Sequence, residues 1–286
     1  MGGEPLLGAG HLAGIVRLTH PFPSLLNAVA TLALAAFAGG PPEVALRLGA
    51  AMLALQASIG ALNDLVDAGL DSGRKPGKPL PRGAVRPIEA ATLAAIGLVI
   101  GLGLSAVSGP ATALVAGAGA ACGYAYDLRL SRTAWSWLPL ATALPLVPVY
   151  AWLGATGGVP ASILAIVPAG FLAGAALAVG NAMVDEERDR QAGIQTAVVA
   201  LGPRRASALN VAGLAAAVAI ALIAGPSLGG GKAGAIPWRG LAVLAAVVLM
   251  AIGVGLGSRP AAGRRERGWE LEAVGVALLG IAWLAG

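Results

Sequence analysis

Apolar runs long enough to cross a hydrocarbon layer, about 20 residues each, recur along this chain with only short polar breaks between them. They fall near 24–39, 44–66, 88–107, 111–126, 135–154, 160–183, 205–225, 240–257 and 269–285. Only 12% of the residues are charged, against about 25% in an ordinary soluble domain. Such a chain cannot cover a water-facing surface, and the expectation is an all-α, polytopic membrane protein of nine transmembrane helices in one domain spanning 1–286. The single cysteine, Cys122, lies in an apolar run and excludes an intrachain disulfide. Met1 to Pro23 lacks the basic-then-apolar layout of a signal peptide. The first run is therefore expected to remain as a helix.

Lysine and arginine set the orientation. With a cytoplasmic N-terminus and nine crossings, the inner loops hold 16 of these residues and the outer side holds 3, namely Arg47, Lys232 and Arg239. Dropping an internal helix would scramble so strong a bias. A multi-pass protein of the cell membrane with its N-terminus in the cytoplasm is expected. The glycine-rich segment 225–240 reads as a flexible external loop, and Arg259 to Arg267 as an inner loop that meets anionic lipid.

Acids are scarce and unevenly placed. "ALNDLVDAGLDSGRKPGKPLPRG", residues 61–83, crowds Asp64, Asp67 and Asp71 directly after an apolar run and then turns basic. "GNAMVDEERDRQAGIQT", residues 180–196, repeats the arrangement. Asn63, Asp67 and Asp71 are spaced by four, as are Asn181, Asp185 and Asp189. Four residues advance a helix by about 40° and about 6 Å, so each trio lines one face of a helix end. Asp64 falls on the side of its trio, whereas Glu187 points away from its own. The second and sixth runs carry the trios and cross in the same direction, so both acidic ends are expected at the cytoplasmic surface, facing one another.

Facing carboxylates need a cation between them. Magnesium is hard, takes oxygen ligands, and usually binds through one or two carboxylates plus substrate phosphates. No His or Cys cluster offers the softer ligands of zinc or copper. Arg74, Lys75 and Lys78 follow the first trio, Arg188 lies within the second, and Arg129 and Arg132 occupy a loop between them. Acids for a metal beside bases for phosphate oxygens describe a diphosphate site. The plainer readings are helix capping for the acids and membrane anchoring for the bases.

"NDLVDAGLD" resembles the NDxxDxxxD signature of the UbiA superfamily of intramembrane prenyltransferases, and "KPGKPLPRG" the basic, proline-rich run that follows it there. "DEERDRQAGIQTAVVALG" is similar to that family's second signature, and "YAYDLRLSRT" sits where the family has a Tyr followed by a Lys, here Arg129, Ser131 or Arg132. The resemblance implies a helical bundle around a central cavity open to the cytoplasm. It also implies a polyprenyl diphosphate donor, ionised with Mg2+ and captured by an acceptor that is most often an aromatic ring.

Carried onto this chain, the metal and diphosphate ligands would be Asn63, Asp67, Asp71, Asp185 and Asp189, with Asp64 as a further ligand or orienting group. Asp67, Asp71, Asp185, Asp189 and Lys78, the basic residue of the proline-rich run, would be catalytic, with Lys78 also binding the diphosphate and Arg74, Lys75, Tyr126, Arg129, Arg132, Asn181 and Arg188 binding substrate. Arg17 and Asn27 bracket the entry to the first run and are candidates for touching the acceptor. The leading expectation is an aromatic acceptor, as in quinone biosynthesis. The alternatives are a glycerol phosphate lipid or phosphoribosyl acceptor, a terpene cyclase, or, in another class, a secondary transporter. Nothing in the chain points to nucleic acid or to an obligate protein partner.

Overall fold

Proline opens five of the long helices, at Pro21, Pro42, Pro87, Pro110 and Pro203, where its missing N–H is one the helix leaves unbonded anyway. The computed structural model describes residues 9–75, 77–224 and 238–284, which excludes most of the glycine-rich segment 225–240. The elements are α1 (Ala9–Leu18), α2 (Pro21–Phe37), α3 (Pro42–Arg74), α4 (Pro87–Ala106), α5 (Pro110–Ala125), a π-helical turn (Tyr126–Leu130), α6 (Leu138–Ala143), α7 (Leu146–Thr156), α8 (Ala161–Ala165), α9 (Val167–Gln191), α10 (Ala197–Leu201), α11 (Pro203–Ala224), α12 (Trp238–Gly257) and α13 (Ala262–Leu284). No strand occurs among the described residues.

Each apolar run lies in a helix or a broken pair, but the borders differ in informative ways. The run expected at 135–154 breaks between α6 and α7, at Pro145, and the one at 160–183 breaks at Ile166, just before Pro168. Proline removes a hydrogen bond and crowds the preceding turn, so neither helix continues through it. The second run extends to Arg74 rather than 66, the sixth to Gln191 rather than 183, and the last begins at Ala262 rather than 269. α1 precedes the first apolar run and meets α2 at 54°. The bend sits at His20, whose φ of 47° is the one positive value for a non-glycine residue among those described.

Six of these helices, counting α6–α7 as one, are long and apolar enough to cross a membrane, and α1–α2 would make a seventh. α5 has 16 residues and α13 opens on a charged turn, so neither meets that standard by length and composition.

Small residues let the helices approach closely. α4 turns Ala90, Ala94, Gly97, Gly101 and Ser105 toward the interior, a stripe that lets its backbone lie against α3. A Cβ at Gly97 would come within 2.7 Å of the Ala54 carbonyl oxygen. The largest neighbour contacts pair α12 with α13, α3 with α4, α9 with α11 and α2 with α3, while α13 also returns to α2 and α9. The last helix thereby closes the bundle. At its centre is a cavity of about 280 Å³.

Candidate active site

The cavity is walled by α2, α3, α5, α6, α7, α9, α11 and α13, and none of the described residues lining it is charged. Asn27, Gln56 and Tyr150 are its polar members, and the Tyr150 hydroxyl is engaged with Ser105 Oγ at 2.8 Å. Ile59 of α3 and Leu177 of α9 line it as well. Each lies one helical turn before the asparagine that opens an acidic trio. The chamber therefore begins directly beneath the two charged helix ends.

Those ends meet. Arg74, at the tip of α3, donates to Asp189 Oδ1 at 2.8 Å, and the next residue, Lys75, donates to Asp185 Oδ2 at 2.5 Å. Asp185 is held from its own helix as well, by Arg188 at 2.6 Å. On the α3 side, Arg132 reaches Asp67 at 2.8 Å from the loop after the π turn. Lys78 folds back so that its Nζ lies 2.7 Å from Asp64 Oδ1 and 2.8 Å from Asp71 Oδ2. Burial works against the Lys78 ammonium, but the Asp64 and Asp71 carboxylates outweigh it and raise its pKa above the ordinary lysine value.

The four-residue spacing accordingly marks one helix face but not one shared partner. Asp64 and Asp71 are almost fully buried and share Lys78, while Asp67 faces Arg132. Glu187 points outward to Arg190 and Gln191, in line with the spacing argument. Asn181 is exposed on α9, one turn before Asp185. Tyr126 begins the π turn and is half-buried. Arg129 and Arg17 are exposed and make no ion pair among the described residues, so the structure does not bring them into the cluster. Asn27 lines the cavity and donates to the Pro23 carbonyl at 2.9 Å.

Among the described residues, no three His, Cys, Asp or Glu side chains stand close enough to hold a metal ion by themselves. Every acid of the two trios has a lysine or arginine against it. The donor set is nonetheless the hard oxygen set that Mg2+ takes, one or two carboxylates at a time with phosphate oxygens completing the shell. The cations that neutralise the acids are also the groups that would grip a diphosphate.

Three groups escaped the reading of the residues. His20, at the α1–α2 bend, places Nε2 3.1 Å from Asp64 Oδ1. Asp127, buried in the π turn, accepts from Asn63 Nδ2 at 3.0 Å. Glu272 of α13 is 2% exposed and accepts from Asn210 of α11 at 2.9 Å. An acid in an apolar run is a signal in itself, and Glu272, with Glu270 beside it at the start of the last run, could have been found that way. His20 and Asp127 could not, because their partners lie 44 and 64 residues away.

A sequence profile of the UbiA prenyltransferase family matches residues 24–269. The digeranylgeranylglyceryl phosphate synthase of Ignicoccus hospitalis is 31% identical over 230 residues, covering 77% of this chain and 73% of that protein. A UbiA homolog from Aeropyrum pernix K1 superposes with a TM-score of 0.72 at 22% identity, over 91% of this chain and 96% of that one. A UbiA homolog from Archaeoglobus fulgidus bound to GPP and Mg2+ gives 0.71 at 19% identity, over 95% and 99%. The shared fold is that of an all-helical, multi-pass membrane protein. This chain belongs to the UbiA prenyltransferase family, and it is an enzyme of that class.

Proposed function

We propose that this protein transfers a prenyl group from a polyprenyl diphosphate to a hydroxyl of a glycerol phosphate lipid, with Mg2+. The observation that carries the reading is the contact of two acidic helix ends, through Arg74–Asp189 and Lys75–Asp185, over an uncharged chamber. Asn63, Asp67, Asp71, Asp185 and Asp189 would hold the metal. Mg2+ would supply positive charge against the leaving diphosphate.

The remaining work falls to the chain's own residues. Arg74, Lys75, Lys78, Arg132 and Arg188 would exchange their carboxylate partners for phosphate oxygens and stabilise the charge that grows there. The allylic C–O bond breaks with its electron pair leaving on the diphosphate. The acceptor oxygen then forms a new C–O bond to the allylic carbon and passes its proton to the departing diphosphate. Apolar walls on α2, α3, α9 and α13 would house the prenyl tail and keep water from the cation.

An aromatic acceptor and a quinone pathway, expected from the resemblance, have weaker support. The Ignicoccus relative is named for a glycerol phosphate lipid product, which favours the alternative. Membership of a prenyltransferase family sets the transporter reading aside. The nine-crossing topology, with N-terminus and acidic ends cytoplasmic, is supported by the inner excess of Lys and Arg.

The test is purified protein with Mg2+, geranylgeranyl diphosphate and either geranylgeranylglyceryl phosphate or 4-hydroxybenzoate. The expected outcome is an ether lipid from the first acceptor and no aryl product from the second. Asp67→Asn and Asp185→Asn should abolish turnover while the protein still folds. Metal-independent diphosphate release, or near-normal transfer by either variant, would overturn the reading.

A further inference from the structure

Asn63 has two unlike ends. Its amide oxygen can ligate a hard cation, whereas its NH2 group can only donate hydrogen bonds. A ligand of this kind works only if something decides which end faces the metal.

The structure contains such a device. Asn63 Nδ2 donates to Asp127 Oδ1 at 3.0 Å. Asp127 is 3% exposed, and its second oxygen, Oδ2, is buried without a hydrogen-bond partner among the described residues. Asp127 Oδ1 accepts in this contact, so it takes the NH2 end of the amide and leaves the amide oxygen free to face elsewhere. The carboxylate is carried by the π-helical turn Tyr126–Leu130. Such turns are rare and recur at functional sites. This one aims Asp127 inward toward α3, while its neighbours Leu128 and Arg129 are exposed.

We propose that Asp127 is a positioning residue, which holds Asn63 by its NH2 group so that the amide oxygen is the end presented to the divalent cation. The inference rests on the reading above, in which Asn63 is a metal ligand. Partners that orient a ligand typically change metal affinity by roughly 10–100-fold when removed.

The experiment measures Mn2+ binding by electron paramagnetic resonance. It uses the full chain in detergent at mildly alkaline pH, with geranyl thiolodiphosphate, whose bridging sulfur resists ionisation. Asp127→Leu should weaken Mn2+ binding by roughly 10–100-fold. Asp127→Asn keeps a carbonyl oxygen to accept from Asn63 and should keep most of the affinity. In the Asn63→Asp/Asp127→Asn double variant, the donor and acceptor exchange places and a carboxylate oxygen still faces the metal. That variant should bind within a few-fold of the unaltered protein, a recovery that loss of packing would not produce. Unchanged binding by Asp127→Leu, or a double variant no better than Asp127→Leu, overturns the inference. If Asp127→Leu does not fold, Asp127→Asn and the double variant are each compared with the unaltered protein, and a loss of roughly 10-fold or more in the double variant overturns the inference. Failure of the unaltered protein to bind Mn2+ with the analogue would instead overturn the metal reading itself.

Discussion

Replacing Lys78 by methionine tests whether the charge cluster is held together as described. Its Nζ lies 2.7 Å from Asp64 and 2.8 Å from Asp71, whose side chains are 3% and 8% exposed. Removing one partner of a buried ion pair costs about 3–5 kcal/mol, because the other charge stays behind without a counter-ion. Two features argue for the lower end: Asp64 keeps His20 at 3.1 Å, and Lys78 is itself 23% exposed. About 3 kcal/mol, at roughly 2–4 °C per kcal/mol, lowers Tm by roughly 6–12 °C.

Thermal unfolding in detergent, followed by dye labelling of the lone Cys122 as it becomes exposed, measures the shift. Millimolar Mg2+ should recover more stability in Lys78→Met than in the unaltered protein, because a divalent cation can neutralise the same two carboxylates. The pH dependence follows from the raised lysine pKa. A raised folded value means that the lysine's contribution is complete below its ordinary pKa of 10.5. It fades only as pH climbs through the still higher folded value. The Tm difference should therefore stay level from neutrality to about pH 10, as far as this group is concerned. A variant that melts with the unaltered protein, or gains nothing extra from Mg2+, refutes the reasoning.

Asn210→Leu leaves the buried Glu272 carboxyl without its donor and should cost about 1–3 kcal/mol; adding Glu272→Met should restore most of it, read by the same melting assay. Gly174→Ala would place a Cβ 2.5 Å from the Leu140 carbonyl oxygen and 2.8 Å from Ala141 Cα. Because backbone cannot swing away, α6 and α9 must part, at about 1–3 kcal/mol. Ala173→Phe fills part of the central cavity and should shift donor preference toward shorter prenyl chains, measured as relative kcat/KM for geranyl and geranylgeranyl diphosphates. An unchanged ratio would mean that the tail lies elsewhere.

What could be read from the residues alone was local. Scarce charge and repeated apolar runs dictate membrane helices, since a backbone in lipid must satisfy its own hydrogen bonds. Proline and glycine mark many helix borders: Gly193 takes φ 70° just beyond the end of α9, and Thr196 caps α10 through the Val199 N–H. The period-four acids declared two helix faces because rotation per residue is fixed. The tertiary structure decided which charge answers which. Arg74 reaches Asp189 across 115 residues of chain, and Lys75 reaches Asp185 across 110, whereas Lys78 turns back on its own cluster and Asp127 takes hold of Asn63. Spacing along one helix cannot foretell such pairings, because they depend on how closely small-residue stripes let neighbouring helices approach. They depend as well on where His20, Pro145 and Ile166 bend or break the path.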